Sequence, residues 1–462
     1  PKRCDPCIKC TTCSSRNDQM TWQENEELKM IEKGLTYLPT EERWLAQYPV
    51  IGNLNDLPDN YNLAAQVDKS LKRRLVKTEK LGEFDKEFNS QVERGVFKKM
   101  DKADKEYDGP VNYIAMTETF KTVADATTPV RICMNSSLKM RGVSLNDLLA
   151  KGPSALNCQQ EVLIRFRGYK EAIALDIKKF YNSVSSVVRD QHLRRVLWRK
   201  ELDSDPEIYL TAKVNFGDRP AGCVAATALV KTAEMFKEID VSAANKLKDD
   251  TYVDDFLSGA DSKLDRDKLE INCRKICKKG GFEFKPSIKS GDVADPIKVL
   301  GIVWEAEQDL LSVACKVNVS AKRKGVNIEE DLDLNTLLDS LPTILTRRII
   351  WRVALMQYDP LGLLCPILLQ LKQVMRSLAG GMSSKKDWDL PVPEDIANKF
   401  RAAVGKLKAA REIRFPRSLT PADKVGKPRL VNFTDGSQKA YCCLVYVLWR
   451  TPNSVHTALV AG

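Results

Sequence analysis

The stretch "KDDTYVDDFLSGA", residues 248–260, places an adjacent pair of aspartates, Asp254 and Asp255, inside an apolar run. The flanking runs "TYV" and "FLSG" predict two short strands, with the aspartates at the tight turn between them. Because neighbouring strand residues point to opposite faces, a turn is what allows both carboxylates to approach one ion. An aspartate pair is also ordinary in a charged surface turn, so the pair alone does not distinguish the two interpretations.

A third aspartate, Asp176, is the only acid in the strand-like run "AIALDI" and lies 78 residues before Asp254. An unpaired buried charge costs several kcal/mol, so Asp176 is expected at a strand end that faces a cleft or binds a metal. Three carboxylates brought together would raise one another's pKa values unless a cation joins them. Mg²⁺ prefers such oxygen ligands, and two Mg²⁺ about 3.5–4 Å apart can promote an in-line phosphoryl displacement.

The composition fits a soluble, well-cored chain with a mild basic excess. Of 462 residues, 43% are hydrophobic and 29% are charged, and the net charge is +11. This charge suits contact with a polyanion but names no partner. No segment reaches the roughly 18 uninterrupted apolar residues of a membrane helix, and the N-terminus has no signal-peptide core. We therefore expect no membrane partner and an intracellular, reducing, cytoplasmic location. Since the chain lacks an initial methionine, we expect it to be a piece of a longer protein.

Four of the thirteen cysteines form three consecutive C-x-x-C steps in "CDPCIKCTTC", namely Cys4, Cys7, Cys10 and Cys13. Steps this short make poor disulfides, and their density indicates metal chemistry in a reducing compartment. Four thiolates could enclose one tetrahedral Zn²⁺, although zinc sites usually have a longer spacer between two pairs. The spacing also loosely matches an iron–sulfur motif without its Cys-Pro. A disordered tail with reactive thiols stays open as the alternative.

Segments with helical periodicity alternate along the chain with segments rich in strand-forming residues. Residues 21–105 have the charged, amphipathic periodicity of helices, and "QENEELKMIEKGL" is the clearest example. Thr40, followed by Glu42, predicts the start of a second helix there. Residues 106–320 mix short β-rich runs with helical ones, and residues 330–412 are helical again before a strand-rich tail. This mixture predicts an α+β fold rather than a doubly wound parallel sheet.

Several long motifs resemble the reverse transcriptases of the BEL/Pao group of long-terminal-repeat retrotransposons. "YVDD" between two short strands, preceded by an Asp-bearing strand that ends in an aromatic, resembles a reverse-transcriptase palm. The resemblance extends over nearly the whole chain through "TTPVRICMNSS", "RGVSLNDLLAKGP", "IRFRGYKEAIALDIKKFYNSV", "NFGDRPAGCVAATAL", "CKKGGFEFKPSIKS", "VLGIVWEAEQDLLSV" and "LTRRIIWRVALMQYDPLGLLCPILLQLK".

The resemblance implies a right-hand polymerase of fingers, palm and thumb. It further implies a helical N-terminal lead, a connection and a partial RNase H-like α/β domain. The implied boundaries are 1–20 for the Cys-rich segment, 21–105 for the lead, 106–305 for fingers and palm, 306–415 for thumb and connection, and 416–462 for the RNase H-like part.

The resemblance also implies roles for individual residues. Asp176, Asp254 and Asp255 would be the catalytic, Mg²⁺-binding carboxylates, with Asp176 and Asp254 as the more direct ligands and Asp255 nearer the primer end. Among the nucleotide-binding residues, Arg131 would contact the triphosphate and Tyr181 would exclude a ribose 2′-hydroxyl. The alternative for Tyr181 is a core aromatic. Phe216 and Gly217 would shape the floor beneath the nascent base pair.

Two departures from the group concern nucleotide handling. Asn135 stands where the group commonly has aspartate, and "RPAGC" replaces the usual Ser-Pro after the Phe-Gly pair. Neither change removes a metal ligand. In the tail, "LVNFTDGSQKAYCCLVYVL" resembles the opening strands of ribonuclease H, with Asp435 as the first acid. We expect no independent ribonuclease H activity, because that chemistry needs further carboxylates. The two histidines, His192 and His456, are expected to be structural.

The implied function is RNA-directed DNA polymerisation, in which deoxynucleotides are added to a primer 3′-hydroxyl with Mg²⁺ or Mn²⁺. The implied partners are a primed RNA or DNA template, dNTPs and the protease, ribonuclease H and integrase segments of a Pol polyprotein, in retroelement particles. A second hypothesis is a decayed or co-opted retroelement fragment that binds nucleic acid without catalysis. A third, a zinc-linked assembly module, depends on Cys4–Cys13 alone.

Overall fold

The computed structural model describes residues 20–120, 130–154, 156–317, 319, 337–380 and 385–462. The cysteine run Cys4–Cys13 lies outside these residues. The described residues form a mixed α/β structure, as the sequence predicts. No helix in the described part is long and apolar enough to cross a membrane.

The helices of the described residues are numbered in chain order. They are α1 Trp22–Gly34, α2 Tyr61–Lys77, α3 Leu81–Glu93, α4 Lys102–Lys105, α5 Gln159–Gly168, α6 Val188–His192, α7 Ala221–Met235, α8 Val241–Asp249, α9 Lys263–Lys279, α10 Leu337–Ser340, α11 Arg347–Met356, α12 Cys365–Ser377 and α13 Glu394–Arg411.

The strands are numbered in the same way. They are β1 Leu35–Leu38, β2 Arg43–Ala46, β3 Phe97–Lys99, β4 Ala115–Phe120, β5 Val130–Asn135, β6 Glu171–Asp176, β7 Ser185–Ser186, β8 Arg195–Trp198, β9 Glu207–Thr211, β10 Thr251–Tyr252, β11 Asp255–Ala260, β12 Ile288–Lys289, β13 Ile297–Val299, β14 Ile302–Glu305, β15 Leu310–Val313, β16 Phe415–Pro416, β17 Val425–Gly436, β18 Tyr441–Arg450 and β19 Val455–Ala461.

The chain divides into two compact units. The first comprises Pro1–Leu156, Ile177–Lys248 and Ile271–Lys285, and the second comprises Asn157–Asp176, Asp249–Glu270 and Pro286–Gly462. The first unit contains the sheets β1-β2-β7, β3-β9-β8 and β4-β5. The second contains the sheets β10-β11-β6-β12, β13-β14-β15-β16 and β17-β18-β19.

The N-terminal part contains a β-hairpin where the sequence predicted a helix. The first helix, α1, is as predicted, and Thr21 and Glu24 form a capping box at its start. The predicted helix at Thr40 is wrong, because β1 and β2 pair there and place Tyr37 opposite Trp44. Trp44 is buried, and its Nε1 donates to the Thr232 hydroxyl at 2.8 Å. Burying this indole stabilises the hairpin more than the local capping signal favours a helix. The N-terminal lead is therefore not wholly helical.

The core of the second unit lies between helix α5 and two of its sheets. Apolar residues of α5, β6, β11 and β14 form one buried cluster with the helices α11–α13. Phe166 of α5 packs edge-on against Trp304 of β14, with ring centroids 5.1 Å apart. Along β6, residues 172–175 are all buried, whereas Asp176 at the strand end is half-buried. The core therefore fixes the strand that ends at Asp176.

Two buried arginines join the C-terminal strands to helix α5 within the second unit. Arg417 donates to both carboxylate oxygens of Asp309, at 2.6 and 2.8 Å, and to the carbonyl of Phe166 at 2.6 Å. Arg167 donates to the carbonyls of Val460 at 2.8 Å and Pro416 at 3.2 Å. Burial, together with the charge of Arg417, lowers the pKa of Arg167 to about 10. Backbone carbonyls thus hold a guanidinium that burial destabilises.

Candidate active site

The central feature of the second unit is an antiparallel register that sets two carboxylates opposite each other. Strand β11 pairs with β6 so that Asp255 faces Asp176, one pair beyond Phe256 and Leu175. Directly opposed residues lie on the same face of a sheet, with Cβ atoms roughly 4.5–5.5 Å apart. Two carboxyl groups at this spacing could share one cation, because carboxylate oxygens are ligands that Mg²⁺ accepts.

The hairpin that presents Asp254 and Asp255 turns one residue earlier than the sequence predicts, and only Asp254 of the pair lies in the turn. Tyr252 pairs with Asp255, so Val253 and Asp254 form the turn and Asp255 is the first residue of β11. The backbone φ of Val253 is +58°, a left-handed conformation that costs a β-branched residue free energy. The aspartate opposite Asp176 is therefore Asp255, while Asp254 occupies the turn.

Asp250 is a buried acid next to this hairpin whose contacts the sequence motifs did not indicate. It is buried, and its carboxylate accepts from Arg165 Nε at 2.8 Å, Tyr169 Oη at 2.8 Å and Ser258 Oγ at 2.6 Å. Burial and then the charge of Asp250 raise the pKa of Tyr169, so its hydroxyl stays a donor. Asp250 thus ties the β10–β11 hairpin to helix α5. The first aspartate pair of "KDDTYVDD" was the available signal, but only the fold separates its role from that of the second pair.

The described side chains limit how many protein ligands a metal ion could have. Within the described ranges, no three Asp, Glu, His or Cys side chains are arranged to hold a metal ion. Mg²⁺ in phosphoryl-transfer sites is typically bound by one or two carboxylates, with water and substrate phosphates completing its octahedron. The opposed pair Asp176 and Asp255 fits that smaller requirement in ligand type and in register.

The residues assigned to the nucleotide lie in the first unit. Arg131 is exposed on β5, opposite Thr119 of β4. Burial lowers the pKa of Lys179, and the charges of neighbouring cations, including Arg131, add to this effect. Tyr181 is half-buried, whereas the neighbouring Phe180 is buried and packs against Phe282. Phe180 is therefore the core aromatic of the pair.

The loop at Phe216 and Gly217 lies against the strand that carries Arg131. Gly217 has a φ of +107°, and a Cβ there would lie 2.2 Å from the carbonyl oxygen of Met134 on β5. Asn146 donates to the Gly217 carbonyl at 2.9 Å and holds the loop from its other side. Phe216 is partly exposed next to this close approach. The loop therefore requires glycine for both its conformation and its packing.

Asp435 and His192, which the sequence analysis also singled out, do not belong to the carboxylate pair or to the nucleotide-binding set. Asp435 is exposed on β17, opposite Cys442, and accepts from the Gly436 amide at 2.8 Å. His192 is buried and stacks on Tyr107 with ring centroids 3.8 Å apart, and burial lowers its pKa to about 4. His192 is thus a core side chain, as predicted.

The C-terminal quarter of the chain matches a known family. Residues 346–462 match the family model described as the Pao retrotransposon-like RNaseH-like domain. This segment is Pao-like. The match confirms the resemblance to Pao retrotransposons that the sequence motifs indicate. It begins inside the segment 306–415, which the sequence analysis assigned to thumb and connection.

Two solved structures are similar to this chain over 80% of its length. One is the foamy viral protease-reverse transcriptase dRH in complex with ds DNA, at 11% identity and a TM-score of 0.49, with 54% of that chain covered. The other is the foamy viral protease-reverse transcriptase in complex with RNA/DNA hybrid, at 10% identity and a TM-score of 0.47, with 42% covered. The chain thus spans about half the length of these proteins. No curated protein sequence matches it significantly.

Proposed function

We propose that this chain is an RNA-directed DNA polymerase of a BEL/Pao-like retroelement, with fingers, palm and thumb. The observation that carries the proposal is the register that sets Asp255 opposite Asp176 at the end of a buried sheet. Both side chains are half-buried, so the sheet fixes their backbones while the carboxylates stay reachable. The family match over residues 346–462 supports a retroelement Pol region as the source.

In the proposed reaction, a primer 3′-hydroxyl attacks the α-phosphate of a dNTP. The phosphodiester bond forms as the bond to the β-phosphate breaks, and pyrophosphate and the hydroxyl proton are released. Asp176 and Asp255, with Asp254 from the turn, would hold Mg²⁺ or Mn²⁺. When bound, the metal would increase the acidity of the hydroxyl and stabilise charge on the phosphoryl oxygens. Asp250 would keep the hairpin in register so that the carboxylates do not shift apart. A displacement of about 1 Å can cost on the order of 10²-fold in rate.

The nucleotide contacts would come from four residues that the family resemblance implies. Arg131 would bind the triphosphate, because a guanidinium can contact two phosphate oxygens at once. Tyr181 would exclude a ribose 2′-hydroxyl by its bulk, and Phe216 and Gly217 would support the nascent pair. The template and primer would be held mainly through their phosphates, which gives salt-dependent binding with little sequence preference.

Three further assignments extend this proposal. Cys4, Cys7, Cys10 and Cys13 would bind Zn²⁺. Asp435 would be the first acid of an RNase H-like site. The other Pol segments, in cytoplasmic retroelement particles, would be the protein partners.

Primer extension with the purified chain tests the polymerase proposal. The single variants Asp176→Asn, Asp254→Asn and Asp255→Asn are compared with Asp295→Asn, an exposed aspartate of the same unit. We expect losses of at least about 10²-fold for Asp176→Asn and Asp255→Asn, since metal stabilisation of the transition state is worth several kcal/mol. Asp295→Asn should extend the primer as the wild type does.

Two outcomes would contradict this proposal. Equal extension by all variants would show that the activity does not come from these carboxylates. Binding of primed template without extension in Mg²⁺ or Mn²⁺ would favour the second hypothesis, a retroelement fragment that binds nucleic acid without catalysis.

A further inference from the structure

A cavity of about 390 Å³ lies within the first unit. Three cationic side chains line it, Arg43, Arg94 and Lys213, together with one carboxylate, that of Glu41. None of these residues belongs to the motifs that carry the resemblance to reverse transcriptases. They come from a hairpin, from the end of a helix and from the end of a strand, so sequence alone does not associate them.

Backbone pairing brings these segments together. Strand β2, which begins at Arg43, pairs in parallel with β7, and Leu45 lies beside Ser185. Ser185 in turn forms an antiparallel bridge with Lys213. Ala212, which precedes Lys213, donates its amide to the Val96 carbonyl at 2.9 Å and so lies near the end of α3. The walls of the cavity are thus held by main-chain hydrogen bonds.

The three cationic side chains of the cavity differ in the number of hydrogen bonds and ion pairs that they form with the protein. Arg43 forms an ion pair with Glu41. Arg94 donates to Ser90 Oγ at 2.5 Å and to Glu87 at 3.2 Å, but its buried Nε has no hydrogen-bond partner among the described residues.

Lys213 is the least compensated of the three. Its Nζ has no hydrogen bond or ion pair with any residue in the described ranges. Burial lowers the pKa of Lys213, and the charges of Arg43 and Arg94 lower it further. Because Arg43 and Arg94 are already paired with carboxylates, an incoming anion would interact mainly with the charge of Lys213.

We propose that this cavity binds a phosphate group of a polynucleotide backbone. The donor set fits a phosphate, because guanidinium groups contact two oxygens and an ammonium acts as a compact point charge. The hydroxyl of Ser185 lines the same cavity and can add a neutral hydrogen bond. Contacts of this kind hold a strand without reading its bases. The choice of a polynucleotide as the ligand depends on the proposed polymerase function.

Fluorescence anisotropy with a single-stranded oligonucleotide in EDTA tests the cavity without requiring catalysis. The wild-type chain is compared with Lys213→Gln and with Lys237→Gln, which removes the same charge from an exposed position of the same unit. Loss of one phosphate contact should weaken binding roughly five- to tenfold near 0.05 M salt and lower the salt slope by about 0.7. Lys237→Gln should change neither value appreciably. Thermal unfolding shows that each variant is folded.

Competition experiments distinguish a polynucleotide phosphate from the phosphates of a free nucleotide. Inorganic triphosphate and a dNTP are titrated against the labelled oligonucleotide, and the dNTP KM is measured where extension occurs. An unchanged oligonucleotide affinity in Lys213→Gln, or a loss equal to that in Lys237→Gln, overturns the proposal. A raised dNTP KM with unchanged oligonucleotide affinity overturns it too, because the cavity would then bind a nucleotide. If the wild type binds oligonucleotide but never extends a primer, only the polymerase function fails.

Discussion

Asp255 lies directly opposite Asp176 across two antiparallel strands, so their carboxyl side chains lie on the same face of the sheet. In the absence of divalent metal, Asp255→Asn should therefore raise the free energy of unfolding by about 0.5–1 kcal/mol. Urea unfolding in EDTA measures this change, and Asp295→Asn provides the exposed control in the same unit. A lower stability of Asp255→Asn than of the wild type would contradict the expected repulsion.

Magnesium should stabilise the folded chain through the same carboxylates. A ligand that binds only the folded state stabilises it by about 2.7 kcal/mol at a concentration one hundred times its Kd. We expect MgCl₂ to raise the Tm of the wild type, and the double variant Asp176→Asn/Asp255→Asn to lose this response. KCl at equal ionic strength controls for screening. An identical Mg²⁺ response in the double variant would place the ion elsewhere.

Gly217 should tolerate no side chain. Gly217→Ala combines a left-handed φ with a contact on the Met134 carbonyl, and we expect a loss of about 1–3 kcal/mol in stability. Gly222→Ala is the matched control, because no atom lies within 4 Å of its added Cβ and helix α7 favours alanine. Chemical unfolding of both variants checks the difference. Equal stability would mean that the loop readily moves away from β5.

Asp250 should matter for stability and its neighbour Asp249 should not. Asp250→Asn weakens hydrogen bonds to Arg165, Tyr169 and Ser258, and bonds to a charged acceptor are worth about 1.5–3 kcal/mol each. We expect a loss of about 2–3 kcal/mol and a lower kcat. Asp249→Asn, which alters an exposed side chain, should stay within about 0.5 kcal/mol of the wild type. Similar losses in both variants would reject the positioning role of Asp250.

His192 should make stability depend on pH below neutrality. Its pKa is about 4 in the folded chain against 6.5 for the free side chain, so the unfolded chain takes up the proton first as the pH falls. Unfolding free energy should therefore decline between about pH 6.5 and pH 4. In His192→Gln, the number of protons taken up on unfolding, given by the slope of unfolding free energy against pH, should fall by about one. His456→Gln is the control. An unchanged slope in His192→Gln would assign the pH dependence to other groups.

Much of the carboxylate site could be predicted from local sequence. Asp176 ends a run of apolar strand residues, and "YVDD" lies between two further runs, so both the strands and their acids were predictable. The exact turn was not, because Tyr252 pairs with Asp255 and leaves Val253 in a left-handed conformation. Such strain depends on the surrounding sheet rather than on residue preference.

The features that escaped prediction depend on contacts between distant segments. The hairpin at β1 and β2 exists because Trp44 reaches Thr232, 188 residues later. The role of Asp250 depends on helix α5 and strand β11, and the cavity of the first unit combines residues 43, 94 and 213. Local periodicity carries no information about such pairings.

The backbone carbonyls that accept hydrogen bonds from Arg167 have a consequence for truncated forms of this chain. The guanidinium of Arg167 donates to the carbonyls of Pro416 and Val460. Both acceptors lie after residue 415, where the polymerase part is expected to end and the ribonuclease H-like part to begin. A polypeptide ending near residue 415 would lack these acceptors and would also lack Arg417, which donates to Asp309 and to the Phe166 carbonyl at the helix that Asp250 contacts through Arg165. Shortening the chain at its C-terminus should therefore lower the melting temperature of the sheet that carries Asp176.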